Sequence, residues 1–404
     1  MCLTRQPVLD HRGRVFGYEL RFCEDMDRTS KPGSSQSPAA ELLSVAILGF
    51  NLAELTERRV AFVRFSYDLL LSGVATLVPP AQLAIELSED LVIDASVIDT
   101  CRDLHGRGYA LGLDAYAPGA PADVLLPFVS FSKVDTRRVS VPEVAALVTH
   151  LRPYGITLIA TNVTRADVAV AVARVGCQLV QGYYFCEPTS HARTTTLANQ
   201  AVQLQLLDAL SRDDLPVSAL EALVKRDSAL CVRVLQAVNA ASAGMRREIG
   251  SLHEALVLLG RDQIRKWVLL WTLDGMNRSA TPATLTMALV RARWCELLGS
   301  VMPGEPVTGY FLLGLCSLLD VILDRPMSAL VTELPLTRTT TLALLGEPGT
   351  AGTVLQSVAS YERGDWSGAS RRGEAVGLPL EVLAAQYVEA VRWVSAMGPP
   401  EPQS

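Results

Sequence analysis

Short apolar runs that end in charged residues are the feature that most constrains the fold of this chain. Tyr109–Leu113 is followed by Asp114, and Phe128–Val134 contains Lys133 and is followed by Asp135. Short, nearly continuous apolar runs are typical of buried parallel strands. In a β/α barrel the carboxyl ends of the strands carry the chemistry. The charged residues at these ends therefore indicate where a site would lie.

Strands and helices alternate through the first half of the chain. Strands are predicted on both sides of the turn at 11–13, the second at Val15–Phe22, and then at Val60–Phe65, Gln82–Leu87, Tyr109–Leu113, Phe128–Val134, Ile156–Ala160 and Leu179–Val180. Helices are predicted at Ala39–Leu55, Tyr67–Leu77, Asp90–Arg107, Val141–Arg152 and Arg165–Val175. The turn between Asp114 and Phe128 is rich in Gly, Pro and Ala, and we expect little regular structure there. This alternation indicates βαβ units and a parallel sheet, which we expect to close into a barrel.

Past Pro188 the strand signals end and the apolar residues follow helical spacing. Helices are predicted at Ala192–Leu210, Pro216–Arg226, Ala229–Ala243, Ser251–Leu259, Asp262–Leu273, Leu285–Ser300 and Pro306–Leu323. The predicted fold class is therefore α/β plus all-α. A TIM-like barrel over residues 1–190 is followed by a helical domain over residues 191–396 and a flexible tail over residues 397–404.

Composition excludes several classes of protein. A length of 404 residues predicts two domains, and a net charge of −6 leaves no basic surplus for a general nucleic-acid binder. The eight cysteines lack CxxC spacing, and the five histidines form no HxxxH or His–Asp pair, so zinc and histidine metal sites are not expected. With no signal pattern and no apolar run of about 18 residues, we expect a cytoplasmic protein with no membrane partner.

Polar side chains at the predicted strand ends form the candidate site. They are Glu19, Arg64, Glu86, Asp114, Lys133 and Gln181. Neighbouring strands lie about 4.8 Å apart, so side chains at adjacent strand ends can meet at the barrel mouth. Several carboxylates gathered there would suit Mg²⁺. A solvated rim of ordinary charges explains the same pattern, and the strand positions alone leave both interpretations open.

Five ordered motifs resemble those of EAL domains, and they cover residues 1–188. The motifs are QPVLD at 6–10, GYEL at 17–20, IELSE at 85–89, KVD at 133–135 and QGYYF at 181–185. This resemblance implies a TIM-like barrel of the kind that hydrolyses cyclic di-GMP with two divalent metals. The second half resembles the HDOD domain, an all-helical signalling module, through residues 206–210, 227–230, 238–241 and 255–260. Nearly the whole chain is thus similar to EAL–HDOD two-domain proteins.

The sequence departs from active EAL domains at most of the implied metal-ligand positions. Glu19, Glu86 and Asp114 match the family's ligands. The positions that differ are Arg64 for an asparagine, Ala115 for the second aspartate of a pair, Thr161 and Thr164 for two glutamates, and Cys23 for an arginine that contacts the dinucleotide. Too few oxygen ligands remain for two ions, so we expect no metal site and no catalytic residues. Mg²⁺ or Mn²⁺ would be a cofactor only if the protein were active after all.

Arg64 carries a fixed positive charge into the predicted mouth, because arginine is not deprotonated in proteins. We expect it to occupy the vacated metal position and to pair with Glu19 and Glu86. Lys133 and Gln181 are expected to form hydrogen bonds at the mouth as vestiges of the ancestral site.

The resulting prediction is a non-catalytic regulatory protein of bacterial signalling. The barrel would act as a sensor or a dimerisation platform, and the HDOD domain would bind a protein partner. Two alternatives stay open: a receptor that binds cyclic di-GMP without hydrolysis, and a weak metal-dependent phosphodiesterase that uses Glu19, Glu86, Asp114 and Lys133. A homodimer formed through the barrel is left open as well.

Overall fold

The computed structural model describes residues 2–22, 52–186, 216, 220, 281–302, 309–323, 325–333 and 336–396. Cys23, most of the predicted helix at 39–55, the helices predicted between residues 192 and 273, and the tail at 397–404 lie outside the described residues, apart from positions 216 and 220.

Eight strands close into a barrel in chain order. They are β1 (Leu3–Asp10), β2 (Val15–Phe22), β3 (Val60–Phe65), β4 (Leu83–Leu87), β5 (Ala110–Leu113), β6 (Phe131–Asp135), β7 (Thr157–Thr161) and β8 (Leu179–Gln181). β1 runs antiparallel to both of its neighbours, β2 and β8, and every other neighbouring pair is parallel. The predicted TIM-like barrel is confirmed.

The barrel interior is filled by apolar side chains from five strands. Val8, Phe62, Ala84, Ile159 and Leu179 are buried together, and Phe131 packs against them. The rings of Phe62 and Phe131 meet edge to face with centroids 5.3 Å apart. This packed layer forms an apolar floor, so polar side chains above it are held away from water.

Helices and 3₁₀ turns of the first half cover the barrel. The helices are α1 (Leu52–Leu55), α2 (Tyr67–Leu71), α3 (Ala95–Gly106), α4 (Val141–Leu151) and α5 (Ala166–Arg174). The helix predicted from Asp90 begins only at Ala95, because Asp94 is its N-cap and accepts a 2.9 Å hydrogen bond from the Val97 N–H.

Two further segments of the first half differ from the sequence prediction. The helix predicted over Tyr67–Leu77 ends at Leu71, and residues Val74–Leu77 form a separate 3₁₀ turn. The turn expected to lack regular structure contains a 3₁₀ segment, Pro121–Phe128, that buries Leu125 and Leu126. The burial of these two leucines stabilises the segment. The Gly, Pro and Ala content of the segment does not by itself predict this order.

The described part of the second half is helical. It contains α6 (Pro282–Val301), α7 (Tyr310–Cys316), α8 (Leu319–Leu323), α9 (Met327–Glu333), α10 (Arg338–Leu344), α11 (Thr350–Glu362), α12 (Trp366–Glu374) and α13 (Leu380–Ser395). The predicted helix Leu285–Ser300 lies within α6. The helix predicted over Pro306–Leu323 is divided into α7 and α8, with a break at Ser317 and Leu318. Among the helices of the described residues, none is long and apolar enough to cross a membrane.

The chain divides into two compact units. The first contains Met1–Glu187, Thr281–Ala283 and Gln356–Arg392, and the second contains Pro188–Ala280, Thr284–Leu355 and Trp393–Ser404. Residues 356–392 therefore group with the barrel, which a division of the sequence at residue 190 does not anticipate.

Candidate functional site

Lys133 lies between two buried glutamates inside the barrel. Its Nζ atom is 2.8 Å from Glu19 Oε2 and 2.5 Å from Glu86 Oε1. The three residues come from the alternate strands β2, β4 and β6, and each side chain is at most 7% exposed. The Lys133 Nζ atom also lies 5.9 Å from the centroid of the Phe62 ring, which belongs to the apolar floor. One ammonium thus serves as the counterion of two carboxylates that water does not reach.

Two further side chains donate hydrogen bonds to Glu19, and Gln6 holds one of them. Arg21 Nε donates to Glu19 Oε1 at 2.9 Å. Gln181 Nε2 donates to Glu19 Oε2 and, at 2.9 Å, to Gln6 Oε1. The strand register brings Gln6, Glu19 and Gln181 together. Gln6 lies opposite Glu19 in the pairing of β1 with β2, and Val8 lies opposite Gln181 in the pairing of β1 with β8.

Glu86 is held less completely than Glu19. Its Oε1 atom contacts Lys133, and no described residue donates a hydrogen bond to its Oε2 atom. Burial, together with the nearby charge of Glu19, raises the pKa of Glu86 to about 7, although Lys133 opposes that rise. Burial also acts to raise the pKa of Glu19, but the ion pairs with Lys133 and Arg21 and the hydrogen bonds outweigh it and hold that pKa below its ordinary value.

Arg64 does not occupy the position that we expected. Its side chain is 56% exposed and pairs with Asp114 at the rim of the mouth, whereas Lys133 is the residue that contacts both Glu19 and Glu86. The expectation that Arg64 would form an internal ion pair with the two glutamates is therefore wrong. Arg64 is the fifth of six residues in β3 and so lies near the strand end, where a long side chain reaches solvent.

The backbone is unusual at one altered position, Ala115, and at Asn162, which directly follows the altered position Thr161. Ala115 has a φ of 49° and Asn162 a φ of 55°, a left-handed conformation that residues other than glycine rarely adopt. Each directly follows the mouth end of a strand: Ala115 comes after Asp114, and Asn162 comes after Thr161. The Thr161 hydroxyl donates to the Val134 carbonyl at 3.2 Å, and Thr164 is exposed.

These side chains do not fit the pair of divalent ions that the resemblance implies. Asp114 is paired with the guanidinium of Arg64, and the positions of three further ligands carry an alanine methyl and two hydroxyls. Two ions about 3.5–4 Å apart need a set of anionic oxygens around both. Within the described ranges, no group of three or more His, Cys, Asp or Glu side chains could hold a metal.

Sequence reasoning missed Arg21 and Gln6. Side chains two residues apart on a strand share a face, so the position of Glu19 could have pointed to Arg21. Gln6 carries no such signal, because its place opposite Glu19 follows from the pairing of β1 with β2.

A protein-family model and two relatives match this chain. Residues 198–318 match the HDOD domain, a range that includes α6 and α7. The uncharacterized protein YuxH of Bacillus subtilis is 28% identical over 400 residues, which cover 97% of this chain and 97% of that protein. The cyclic di-GMP phosphodiesterase CdgJ of Vibrio cholerae is 26% identical over 396 residues, which cover 97% of this chain and 91% of CdgJ.

Solved structures of EAL proteins resemble the chain over just under half of its length. The PaMucR phosphodiesterase, solved as a complex with c-di-GMP, is 19% identical with a TM-score of 0.39, covering 45% of this chain and 94% of that one. The EAL domain of DcpA from Mycobacterium smegmatis is 22% identical with a TM-score of 0.36, covering 45% and 90%. Similarities with such low TM-scores support no conclusion about the chemistry of the barrel.

Proposed function

We propose that this protein, whose chain joins an EAL-type barrel to an HDOD domain, is a regulatory protein that does not hydrolyse cyclic di-GMP. The barrel would act as a sensor or dimerisation platform, and the HDOD domain would present a surface to a protein partner. The relative CdgJ is named as a phosphodiesterase. The proposal is therefore that the present chain keeps the architecture without the reaction.

The observation that supports the proposal is the ion pair of Arg64 with Asp114 at the barrel mouth. Arg64 stands where the resemblance implies an asparagine, and its guanidinium engages a surviving acid and repels a divalent cation. Lys133, which the family motif also contains, engages the other two acids, Glu19 and Glu86. No carboxylate of the expected set remains without a cationic partner. Two-metal hydrolysis requires anionic oxygens around both ions, and these ion pairs support the proposal that the reaction has been lost.

A receptor that binds cyclic di-GMP without cleaving it is a second candidate. Arg21 and Arg64 are 40% and 56% exposed, and each is hydrogen-bonded to a single carboxylate among the described residues. A guanidinium has five N–H donors. The remaining donors of these two side chains could therefore bind phosphodiester oxygens without a metal.

The turnover of cyclic di-GMP by the purified full-length chain, with Mg²⁺ and then with Mn²⁺, tests the main proposal. We expect no linear dinucleotide above the level formed by the Glu86→Gln variant, which serves as the matched control. Metal-dependent turnover by the wild type that the Glu86→Gln variant lacks would refute the proposal. It would establish the weak phosphodiesterase instead.

Isothermal titration calorimetry distinguishes the receptor from a scaffold that needs no ligand. The titration uses cyclic di-GMP with the wild type, with Arg64→Met, and with Arg138→Met as a control that removes another exposed arginine. A receptor predicts binding without metal that Arg64→Met weakens and Arg138→Met preserves. Absence of binding heat in all three proteins would support the scaffold.

A further inference from the structure

Two C-terminal helices contact the strand that helps to hold Glu19. The Tyr361 hydroxyl, on α11, accepts from the Leu3 N–H at 3.2 Å and donates to the Leu3 carbonyl at 2.9 Å. The Tyr387 hydroxyl, on α13, accepts from the Arg5 N–H at 3.2 Å. β8 pairs only with Val8–Asp10, so these hydroxyls supply partners for the part of β1 that extends beyond β8. Gln6, which accepts from Gln181, directly follows the part of β1 that the helices bind.

The same helices also contact the segment that follows β8. The Tyr183 hydroxyl donates to the carbonyl of Glu362, the last residue of α11, in a partly buried contact. Carbonyls at the carboxyl end of a helix lack hydrogen-bond donors within the helix, and the Tyr183 hydroxyl is a donor to one of these carbonyls. Tyr183 is two residues after Gln181, whose amide donates to Glu19.

Gly182, the one residue between Gln181 and Tyr183, packs closely against Val163, which leaves the two residues little freedom to move independently. A Cβ atom at Gly182 would lie 1.9 Å from the Val163 carbonyl oxygen. The Val163 N–H donates to the Gln181 carbonyl at 3.1 Å, and the Tyr184 N–H donates to the Val163 carbonyl at 3.1 Å. Gln181 and Tyr183 are therefore fixed to the same short stretch of backbone. A displacement of one is transmitted to the other.

We propose that Tyr183, Tyr361 and Tyr387 form a clasp that couples the Glu19–Lys133 cluster to the helical half of the chain. The division between the two compact units falls inside α11, after Leu355, so this one helix carries residues of both units. A change in the helical half that shifts α11 reaches Glu19 by two routes. One route runs through Tyr183 and Gln181, and the other through β1 and Gln6. This coupling depends on the clasp and not on whether the barrel hydrolyses a ligand.

Hydrogen exchange measured by mass spectrometry on the full-length protein tests the clasp. Tyr183→Phe removes one hydroxyl, and Tyr184→Phe removes the neighbouring hydroxyl as the matched control. We expect Tyr183→Phe to increase exchange about fivefold or more both at the end of α11 and in the peptides of β2 and β8. Tyr184→Phe should leave all three regions within twofold of the wild type.

The reverse perturbation separates coupling from local loosening, because coupling free energies are reciprocal. Gln181→Met removes the amide at the cluster and leaves the clasp hydroxyls in place. We expect faster exchange at the end of α11, more than 150 residues away in sequence. Changes confined to residues 179–186 in both Tyr183→Phe and Gln181→Met would overturn the proposal. Far-UV circular dichroism verifies that each variant is folded.

Discussion

Lys133→Met removes the ammonium that two buried carboxylates share and keeps a side chain of similar length. Without it, at least one of Glu19 and Glu86 must become neutral in the folded protein. Keeping a carboxyl with an ordinary pKa of 4.5 protonated at pH 8 costs up to about 5 kcal/mol, at 1.36 kcal/mol per pH unit. At pH 5 the same proton costs less than about 1 kcal/mol. We therefore expect Lys133→Met to lower the free energy of unfolding by about 3–5 kcal/mol at pH 8 and by much less at pH 5.

Urea denaturation followed by pulsed hydrogen exchange and mass spectrometry measures this loss. Peptides from β2, β4 and β6 measure the unfolding of the barrel separately from that of the helical unit. This separation is needed because a protein with two units need not unfold in one step. The matched control is Arg138→Met, whose ion pair with Glu89 at 3.4 Å is exposed and should contribute at most about 1 kcal/mol. The double variant Lys133→Met/Glu86→Gln should regain part of the lost stability at pH 8.

Two outcomes would refute this reasoning about Lys133. The first is a loss below about 1 kcal/mol at pH 8, since a buried Glu86 carboxylate that has lost its cationic partner should cost more than that. The second is an equal loss at pH 5 and pH 8, which would mean that packing, and not charge compensation, is what Lys133 contributes.

Three other substitutions have defined expectations in the same urea experiment. Because the pKa of Glu86 is raised from 4.5 to about 7, its proton stabilises the folded barrel fully at pH values below 4.5. This stabilisation, at most about 3 kcal/mol, is lost as the pH rises through about 7. Glu86→Gln should abolish that pH-dependent loss. An unchanged pH profile would contradict it. Ala115→Gly should stabilise the barrel by about 0.5–1 kcal/mol because it relieves a left-handed backbone, and a destabilised variant would argue against that strain. Gly182→Ala should lower the free energy of unfolding by about 2–3 kcal/mol because the added methyl clashes with Val163. Its control, Gly119→Ala, has a positive φ but open space around it and should lower it by only about 1 kcal/mol. Equal losses in the two variants would show that the contact of Gly182 with Val163 does not matter.

Local sequence patterns predicted much of the fold. Apolar runs with charged ends located the barrel strands, and the predicted hairpin of residues 2–22 is present as β1 and β2. The HDOD domain predicted in the second half is confirmed by the family-model match over residues 198–318. These features are local, so a single sequence contains them.

Features that depend on depth and on distant packing could not be predicted in this way. Arg64 and Lys133 both follow buried strand residues, and only the three-dimensional depth of each position shows that Lys133 enters the barrel while Arg64 reaches solvent. Helical spacing in α11 and α13 predicts that one face is buried but not which surface covers it. The contacts of Tyr361 and Tyr387 with β1 span more than 350 residues of sequence, a relation that periodicity cannot contain.

Anomalous diffraction from crystals soaked in Mn²⁺ tests most directly whether a protein cation stands where hydrolytic ions would bind. We expect electron density for Lys133 Nζ between Glu19 and Glu86 and no anomalous peak within coordination distance of either carboxylate. A fully occupied manganese ion bound to Glu19 and Glu86, with the Lys133 side chain displaced, would contradict the account.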